Sequence, residues 1–134
     1  MEFRTVTTSL APQAIGPYSQ AIEIEGMLYV SGQIPLHPET GQMVEGGIVE
    51  QTKQVLRNLA QILTVGGSNL NYVVKTTIYM TDLSQFEEVN QLYAKAFGAH
   101  KPARSTVQVA ALPKGALIEI DAVAAILEGR RIDS

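Results

Sequence analysis

The sequence contains no cysteine and no tryptophan. Without cysteine the chain cannot form disulfide bonds, thiolate nucleophiles or zinc sites with cysteine ligands. The chain also lacks an excess of positive charge, because 10 Lys and Arg residues stand against 13 Asp and Glu residues, for a net charge of −3. A basic surface that follows a nucleic-acid backbone is therefore not expected.

Long apolar runs are missing as well. No stretch is long enough to span a bilayer, and the first residues contain no apolar segment of the kind found in signal peptides. These absences favour a cytoplasmic protein. The chain does have 46% hydrophobic residues among its 134, which is enough for the core of a single domain spanning residues 1–134.

Hydrophobic periodicity predicts two helices. The first begins at Ile48, repeats apolar residues at helical spacing and ends at Gly66. The second is predicted to begin at Ser84, because Ser84 and Glu87 have the spacing of a capping box, and to end at Gly98.

Strand-like segments account for most of the remaining chain. Six segments are predicted as strands: 3–7, 21–25, 27–33, 72–80, 105–109 and 117–127. The resulting order, β-β-β-α-β-α-β-β, favours an α+β fold with a single mixed sheet and both helices on one face.

Two charged residues stand in or beside the last two predicted strands: Arg104 at the mouth of the fifth and Glu119 inside the sixth. A charged side chain inside a strand is costly unless it forms an ion pair or takes part in binding or catalysis. Alternate residues from Ile118 to Ile126 are all apolar and suited to packing under helices, whereas Glu119 shares the other face with Asp121. If these two strands are adjacent, the guanidinium and the carboxylate could together bind a small carboxylic acid and position a water molecule beside it.

The sheet face without helices is predicted to be only partly polar. Two helices cover one side of a sheet, and a half-apolar face left bare is an interaction surface. We therefore expect other copies of the chain to cover this face, with Arg104 and Glu119 at or near a subunit boundary.

Several sequence blocks resemble the signature of one family. They are Ile15-Gly-Pro-Tyr18-Ser-Gln20, Val30-Ser-Gly32-Gln33-Ile34-Pro35, Thr81-Asp82-Leu83 with Val89-Asn90, and Pro102-Ala-Arg104-Ser-Thr-Val107 followed by Ile118-Glu119-Ile120. Blocks that keep one order over nearly the whole chain are far more specific than a single motif. On these residues the chain resembles the RidA family, also called YjgF/YER057c/UK114.

The resemblance implies a chorismate-mutase-like α+β fold that assembles as a homotrimer, with active sites in clefts between subunits. It also implies hydrolytic deamination of reactive enamines and imines, such as 2-aminoacrylate, 2-iminopropanoate and their homologues, to 2-oxo acids and ammonia. No metal or organic cofactor is expected for the family. The implied partner is a small carboxylate substrate, with neither nucleic acid nor membrane involved.

The same resemblance assigns roles to individual residues. Arg104 would bind the substrate carboxylate, since its planar fork offers two parallel hydrogen bonds. The backbone near Thr106 would share that carboxylate, and the backbone of Gly32 would lie close to the substrate. Glu119 would orient the attacking water and relay protons to the departing nitrogen. Two further residues match positions that line the cleft: Tyr18 and Asn90.

The chain departs from the family pattern in two places. Thr106 stands where many relatives carry cysteine, so thiol-based side chemistry is absent. The loop at residues 99–102 is shorter than in typical members and, because it directly precedes Arg104, is a candidate for altering the substrate range.

Other interpretations stay open at the level of sequence. The main alternative is a non-catalytic trimeric binder or sensor of 2-oxo acids or other small carboxylates, which needs Arg104 but can lose Glu119. Arg104 could also be an ion-pair partner of Glu119 or Asp121. The two acids, about 7 Å apart on one strand face, have the arrangement of a glycosidase pair, but such pairs are common on strands.

Overall fold

The computed structural model describes residues 2–127. In that range the predicted order of strands and helices is confirmed, and the elements are β1 Arg4–Val6, β2 Ala21–Ile24, β3 Met27–Gln33, α1 Ile48–Val65, β4 Val73–Met80, α2 Phe86–Phe97, β5 Ala103–Gln108 and β6 Ile118–Ala125. None of the helices in this range is both long and apolar enough to cross a membrane.

All six strands join one sheet in the order β1-β2-β3-β6-β4-β5. The β4–β5 pair is parallel and the other pairs are antiparallel, so the sheet is mixed, as predicted. The expectation that β5 and β6 lie next to each other is wrong, because β4 is inserted between them. The parallel β4–β5 connection carries α2 across one face, which is the usual way of linking parallel neighbours.

The hairpin predicted between β2 and β3 is present. Ile24 pairs with Met27, and the two residues between them, Glu25 and Gly26, have φ angles of 48° and 80°. Positive φ at both central positions is typical of the two-residue turns whose twist matches that of the flanking strands.

The core lies between the sheet and the two helices. The apolar stripe of α1 is fully buried at Leu59, Ile62 and Leu63, against a sheet face that includes Ile118 and Ile120 of β6, also fully buried. The apolar face predicted for β6 is therefore confirmed. Burial of this apolar surface is the main favourable contribution to folding.

The start of α2 differs from the prediction. The helix begins at Phe86, and Ser84 lies in a preceding 3₁₀ turn, so no capping box forms at Ser84. The carboxylate of Asp82 accepts the Ser84 N–H at 2.9 Å instead, and hydrogen bonds from Ser84 lower the pKa of Asp82. An aspartate two residues earlier therefore takes the backbone donor that the pattern assigned elsewhere.

Strand β4 contains an irregularity that alternation alone does not reveal. Val73 pairs with Ala124 while Lys75 pairs with the next residue, Val123, so β4 has one extra residue at this point. Val73 is consequently buried on the helix face and does not share a face with Lys75, contrary to the simple alternating pattern. Beyond the bulge the alternation resumes, with Thr76, Ile78 and Met80 buried beneath the helices.

Candidate active site

Arg104 lies on the edge strand β5, and its side chain turns towards α2. Its Nη1 donates to Asn90 Oδ1 at 2.8 Å. The guanidinium carbon lies 4.9 Å from the ring centroid of Tyr93 and 5.3 Å from that of Phe86. Cation–π contacts and a hydrogen bond thus orient the guanidinium from several directions. We call Arg104, Asn90, Phe86 and Tyr93 the arginine half-site.

Tyr93 is itself held by the core. Its hydroxyl lies 2.7 Å from the Thr76 hydroxyl, and its ring stacks on Phe97 with a centroid distance of 4.4 Å. Burial raises the pKa of Tyr93, although the Thr76 hydrogen bond and the charge of Arg104 act in the opposite direction. The phenol therefore stays neutral, and Arg104 rests on a fixed aromatic surface.

The guanidinium retains the capacity to bind an anion. Arg104 is exposed, and Asn90 occupies one of the five N–H donors that an arginine carries. Thr106, two residues further along β5, lies on the same face and is partly buried. Because β5 is an edge strand, part of its backbone hydrogen-bonding capacity faces away from β4. A carboxylate could therefore meet both the guanidinium and the strand backbone here.

Glu119 lies on β6, where its side chain covers Gly32 of β3. A Cβ atom on Gly32 would collide with Glu119 Oε2 and would lie 2.7 Å from the carboxyl carbon. The register between β3 and β6 shifts between Val30 and Gln33, so the irregular segment that contains Gly32 lies beside the carboxylate. Glycine at this position is what allows the backbone and the carboxylate to approach so closely.

Tyr18 and Gly32 both line a cavity of about 380 Å³. Tyr18 is exposed, and its hydroxyl oxygen accepts the Ile15 N–H at 3.4 Å. The O–H of Tyr18 is not used in this bond and can donate to another group. We call Glu119, Gly32 and Tyr18 the glutamate half-site.

The environment of Glu119 favours its protonated form. Burial raises its pKa above the ordinary value of 4.5, and the negative charge of Asp121 raises it further. A carboxyl group with a raised pKa exchanges protons more readily near neutral pH, as general acid–base catalysis requires.

The two half-sites lie on opposite faces of the sheet. Arg104 is paired with Thr76, which is fully buried beneath the helices, so Arg104 is on the helix face. Glu119 stands between Ile118 and Ile120, which are both fully buried beneath the same helices, so Glu119 is on the open face. The expectation of one pocket formed by neighbouring strands of one chain is therefore wrong, as alternation within β5 does not reveal which of its faces meets the helices.

The structure also excludes the ion-pair interpretation of Arg104 within one chain. Arg104 binds Asn90, and the carboxylate of Asp121 accepts the Tyr79 hydroxyl at 3.0 Å. Among residues 2–127, no group of three or more His, Asp and Glu side chains is placed to hold a metal ion.

Three aromatic residues in these surroundings are not predicted as site residues from the sequence: Phe86, Tyr93 and Tyr79. Phe86 and Tyr93 lie on α2, and Tyr79 lies on the open face of β4. The spacing of Phe86, Asn90 and Tyr93 contains a usable signal, because residues four and three apart share one helix face. A polar residue within that stripe indicates where the face leaves the core.

Comparison with known proteins identifies the fold. The family model described as Endoribonuclease L-PSP matches residues 8–126. The chain belongs to the RidA family. The family match covers most of the chain and confirms the resemblance that the sequence blocks indicate.

RidA relatives of known name are similar over nearly the whole chain. The human protein named 2-iminobutanoate/2-iminopropanoate deaminase is 49% identical over 121 residues, which are 90% of this chain and 88% of that protein. The mouse deaminase of the same name is 48% identical over 121 residues, 90% of each chain. The solved structure of YyfA, a conserved Rid family protein of unknown function from Yersinia pestis, matches with a TM-score of 0.91 at 49% identity, covering 93% of this chain and 100% of that one.

Proposed function

We propose that this RidA family member hydrolyses the C=N bond of small anionic imines, such as 2-iminopropanoate and 2-iminobutanoate, to 2-oxo acids and ammonia. The observation that carries the proposal is that the chain has both an oriented, exposed guanidinium at Arg104 and a partly buried carboxyl group at Glu119 whose pKa is raised. The names of the human and mouse relatives support the same reaction.

We further propose that each active site combines the arginine half-site of one subunit with the glutamate half-site of another. Side chains on opposite faces of one sheet point away from each other, so Arg104 and Glu119 of one chain cannot hold the same small substrate. A homotrimer satisfies the requirement, because every subunit then gives one half-site to each neighbour and the ring closes. Exposed apolar side chains on the sheet support packing of a second copy of the chain over them: Tyr29, Val74 and Val107 are 48%, 46% and 39% exposed.

In this arrangement Arg104 binds the substrate carboxylate and fixes the orientation of the imine. Water adds to the electrophilic imine carbon while Glu119 transfers protons between the oxygen and the nitrogen. The carbinolamine that forms then loses ammonia to leave the 2-oxo acid. Tyr18 and Asn90 contribute polar groups at the edge of the cleft.

The direct test is a coupled assay in which a serine dehydratase generates 2-aminoacrylate in the presence of the protein. We expect faster appearance of 2-oxo acid and ammonia with the parent, and loss of the acceleration in Arg104→Ala with the oligomer still assembled. Arg57→Ala removes the same side chain from the outer surface of α1 and serves as the control. Full activity of the Arg104→Ala protein would show that the site has been placed wrongly.

The outcome also separates the enzyme from a binder. If the parent binds 2-oxobutanoate but does not accelerate deamination, the chain is a sensor of small carboxylates and the catalytic proposal fails. Calorimetric titration with 2-oxobutanoate, performed on the same preparations, provides that comparison.

A further inference from the structure

A pair of acids and a tyrosine form a connected group on the open face of the sheet. Glu119 and Asp121 are separated by one residue of β6 and so point to the same side. Tyr79 of β4 is the register partner of Glu119, yet its hydroxyl reaches across the diagonal to donate to Asp121 Oδ2 at 3.0 Å. Diagonal neighbours in a sheet are within reach of a long aromatic side chain.

Asp121 is held by this contact in a fixed place beside Glu119. Tyr79 is a reliable donor, since burial and the neighbouring Asp121 raise its pKa and keep the phenol protonated. The hydrogen bond occupies one oxygen of the Asp121 carboxylate and so restricts rotation of this carboxylate into solvent.

Within one chain, the other charged and titratable groups near the pair do not neutralise it. In the proposed assembly, Arg104 of the neighbouring subunit binds the substrate carboxylate. Lys75, from β4, donates to the Thr76 carbonyl at 3.1 Å and lies 3.3 Å from the Ser105 hydroxyl. Tyr29, from β3, is paired with Val123, and Tyr18 lines the cavity beside Gly32. Within residues 2–127, neither Glu119 nor Asp121 forms a salt bridge.

We propose that Asp121, fixed by the Tyr79 hydroxyl, is a positioning residue that makes Glu119 keep a proton for delivery to the imine nitrogen. Two negative charges on neighbouring positions of one partly buried face disfavour each other, so the charge of Asp121 makes Glu119 release its proton less readily. The Asp121 carboxylate has a strong donor in Tyr79, whereas the Glu119 carboxylate has none within the described residues, so Glu119 is the acid that holds the proton for transfer. The inference rests on the proposed imine hydrolysis for its catalytic meaning.

The proton balance of the reaction is then closed. Protonated Glu119 gives its proton to the imine nitrogen as the water oxygen bonds to the imine carbon, and the resulting carboxylate accepts a proton from that water. In the second stage the restored acid protonates the amine, the C–N bond breaks with its electron pair on nitrogen, and the hydroxyl proton returns to Glu119. No oxidant, reductant or further reactant is needed.

The proposal is tested by following the Glu119 carboxyl carbon by NMR in protein labelled with ¹³C at glutamate side chains, with Glu119→Gln used to assign the signal. We expect the titration midpoint of Glu119 to move to lower pH in Asp121→Asn, which keeps the acceptor for Tyr79 and removes the charge. Tyr79→Phe, which keeps the ring and frees Asp121, should move the midpoint in the same direction by less. Asp121→Glu and the surface control Glu39→Gln should leave it close to the parent value.

An unchanged midpoint in Asp121→Asn, or an equal shift in Glu39→Gln, overturns the inference. Asp121→Ser is a second uncharged variant in case the first does not fold. The titration needs no turnover, so a parent without deaminase activity would defeat the proposed function while this measurement still decides whether Asp121 controls the proton. In an active parent, the descending limb of the kcat–pH profile should move with the NMR midpoint in Asp121→Asn.

Discussion

The arginine half-site and the glutamate half-site are built in opposite ways. The first depends on side chains that are present, because Phe86, Tyr93 and Asn90 together orient the Arg104 guanidinium. The second depends on a side chain that is absent, because only glycine at position 32 leaves room for the Glu119 carboxylate. A site for binding charge needs a supporting surface, whereas a site for moving protons needs a close, partly buried approach to the reacting atoms.

The two half-sites also differ in the electrostatic environment of their charged group. Arg104 is exposed and positively charged, so it is ready to bind an anion. Glu119 is partly buried beside a second acid, and its raised pKa brings its proton exchange closer to neutral pH.

The largest expected effect comes from mixing two inactive variants. Arg104→Ala and Glu119→Gln should each be inactive alone, but trimers containing both chains have one site with an intact Arg104 and an intact Glu119. Random exchange of subunits should restore about a quarter of the parent activity if three equivalent sites lie between neighbours in a closed ring. The measurement is the coupled deamination assay after the subunits are dissociated and reassembled together.

Failure to recover activity, in reassembled mixtures that contain both chains by native mass spectrometry, would contradict sites shared between subunits. Refolded parent protein, taken through the same dissociation, supplies the reference activity. This experiment addresses the comparison directly, since it asks whether the two half-sites belong to one active site.

A smaller effect is expected from Gly32→Ala, which disturbs the glutamate half-site alone. The new methyl group would displace the Glu119 carboxylate, and kcat should fall by about 10- to 100-fold, because catalytic groups tolerate little misplacement. KM should change much less, since Arg104 still binds the carboxylate. Gly47→Ala is the matched control, because no atom lies near the added methyl group and its φ of −101° suits any residue. Equal kinetics for the Gly32 variant and the parent would mean that Glu119 is not held against Gly32 during turnover.

Much of the fold could be predicted from the sequence, because strong hydrophobic periodicity and turn residues mark the elements locally. The helix start at Ile48, the hairpin at Glu25 and Gly26, and the buried face of β6 all follow from neighbouring residues. The bulge at Val73 and the true start of α2 depend on contacts with other strands and on competing donors, which alternation does not encode.

The candidate site was harder to predict than the fold. The residue types at 104 and 119 indicate a binding cation and an acid, but the strand order that separates them is set by tertiary packing. Since β4 enters between β5 and β6, the phase of β5 relative to the helices cannot be read from β5 itself. Motif blocks give candidate site residues, and only the three-dimensional pairing shows which of them can meet within one chain.

The smallest expected effect is on stability. The raised pKa of Glu119 means that the folded chain binds this proton more tightly than the unfolded chain does, so ionisation of Glu119 destabilises the fold. The loss begins as the pH rises through the ordinary value of 4.5 and is complete above the raised pKa. Glu119→Gln should therefore have a higher free energy of unfolding than the parent at neutral pH, and the advantage should vanish well below that ordinary value. Urea unfolding at both pH values, with Glu39→Gln as the exposed control, measures the difference. An advantage that is the same at both pH values would indicate altered packing and would remove ionisation of Glu119 as its cause.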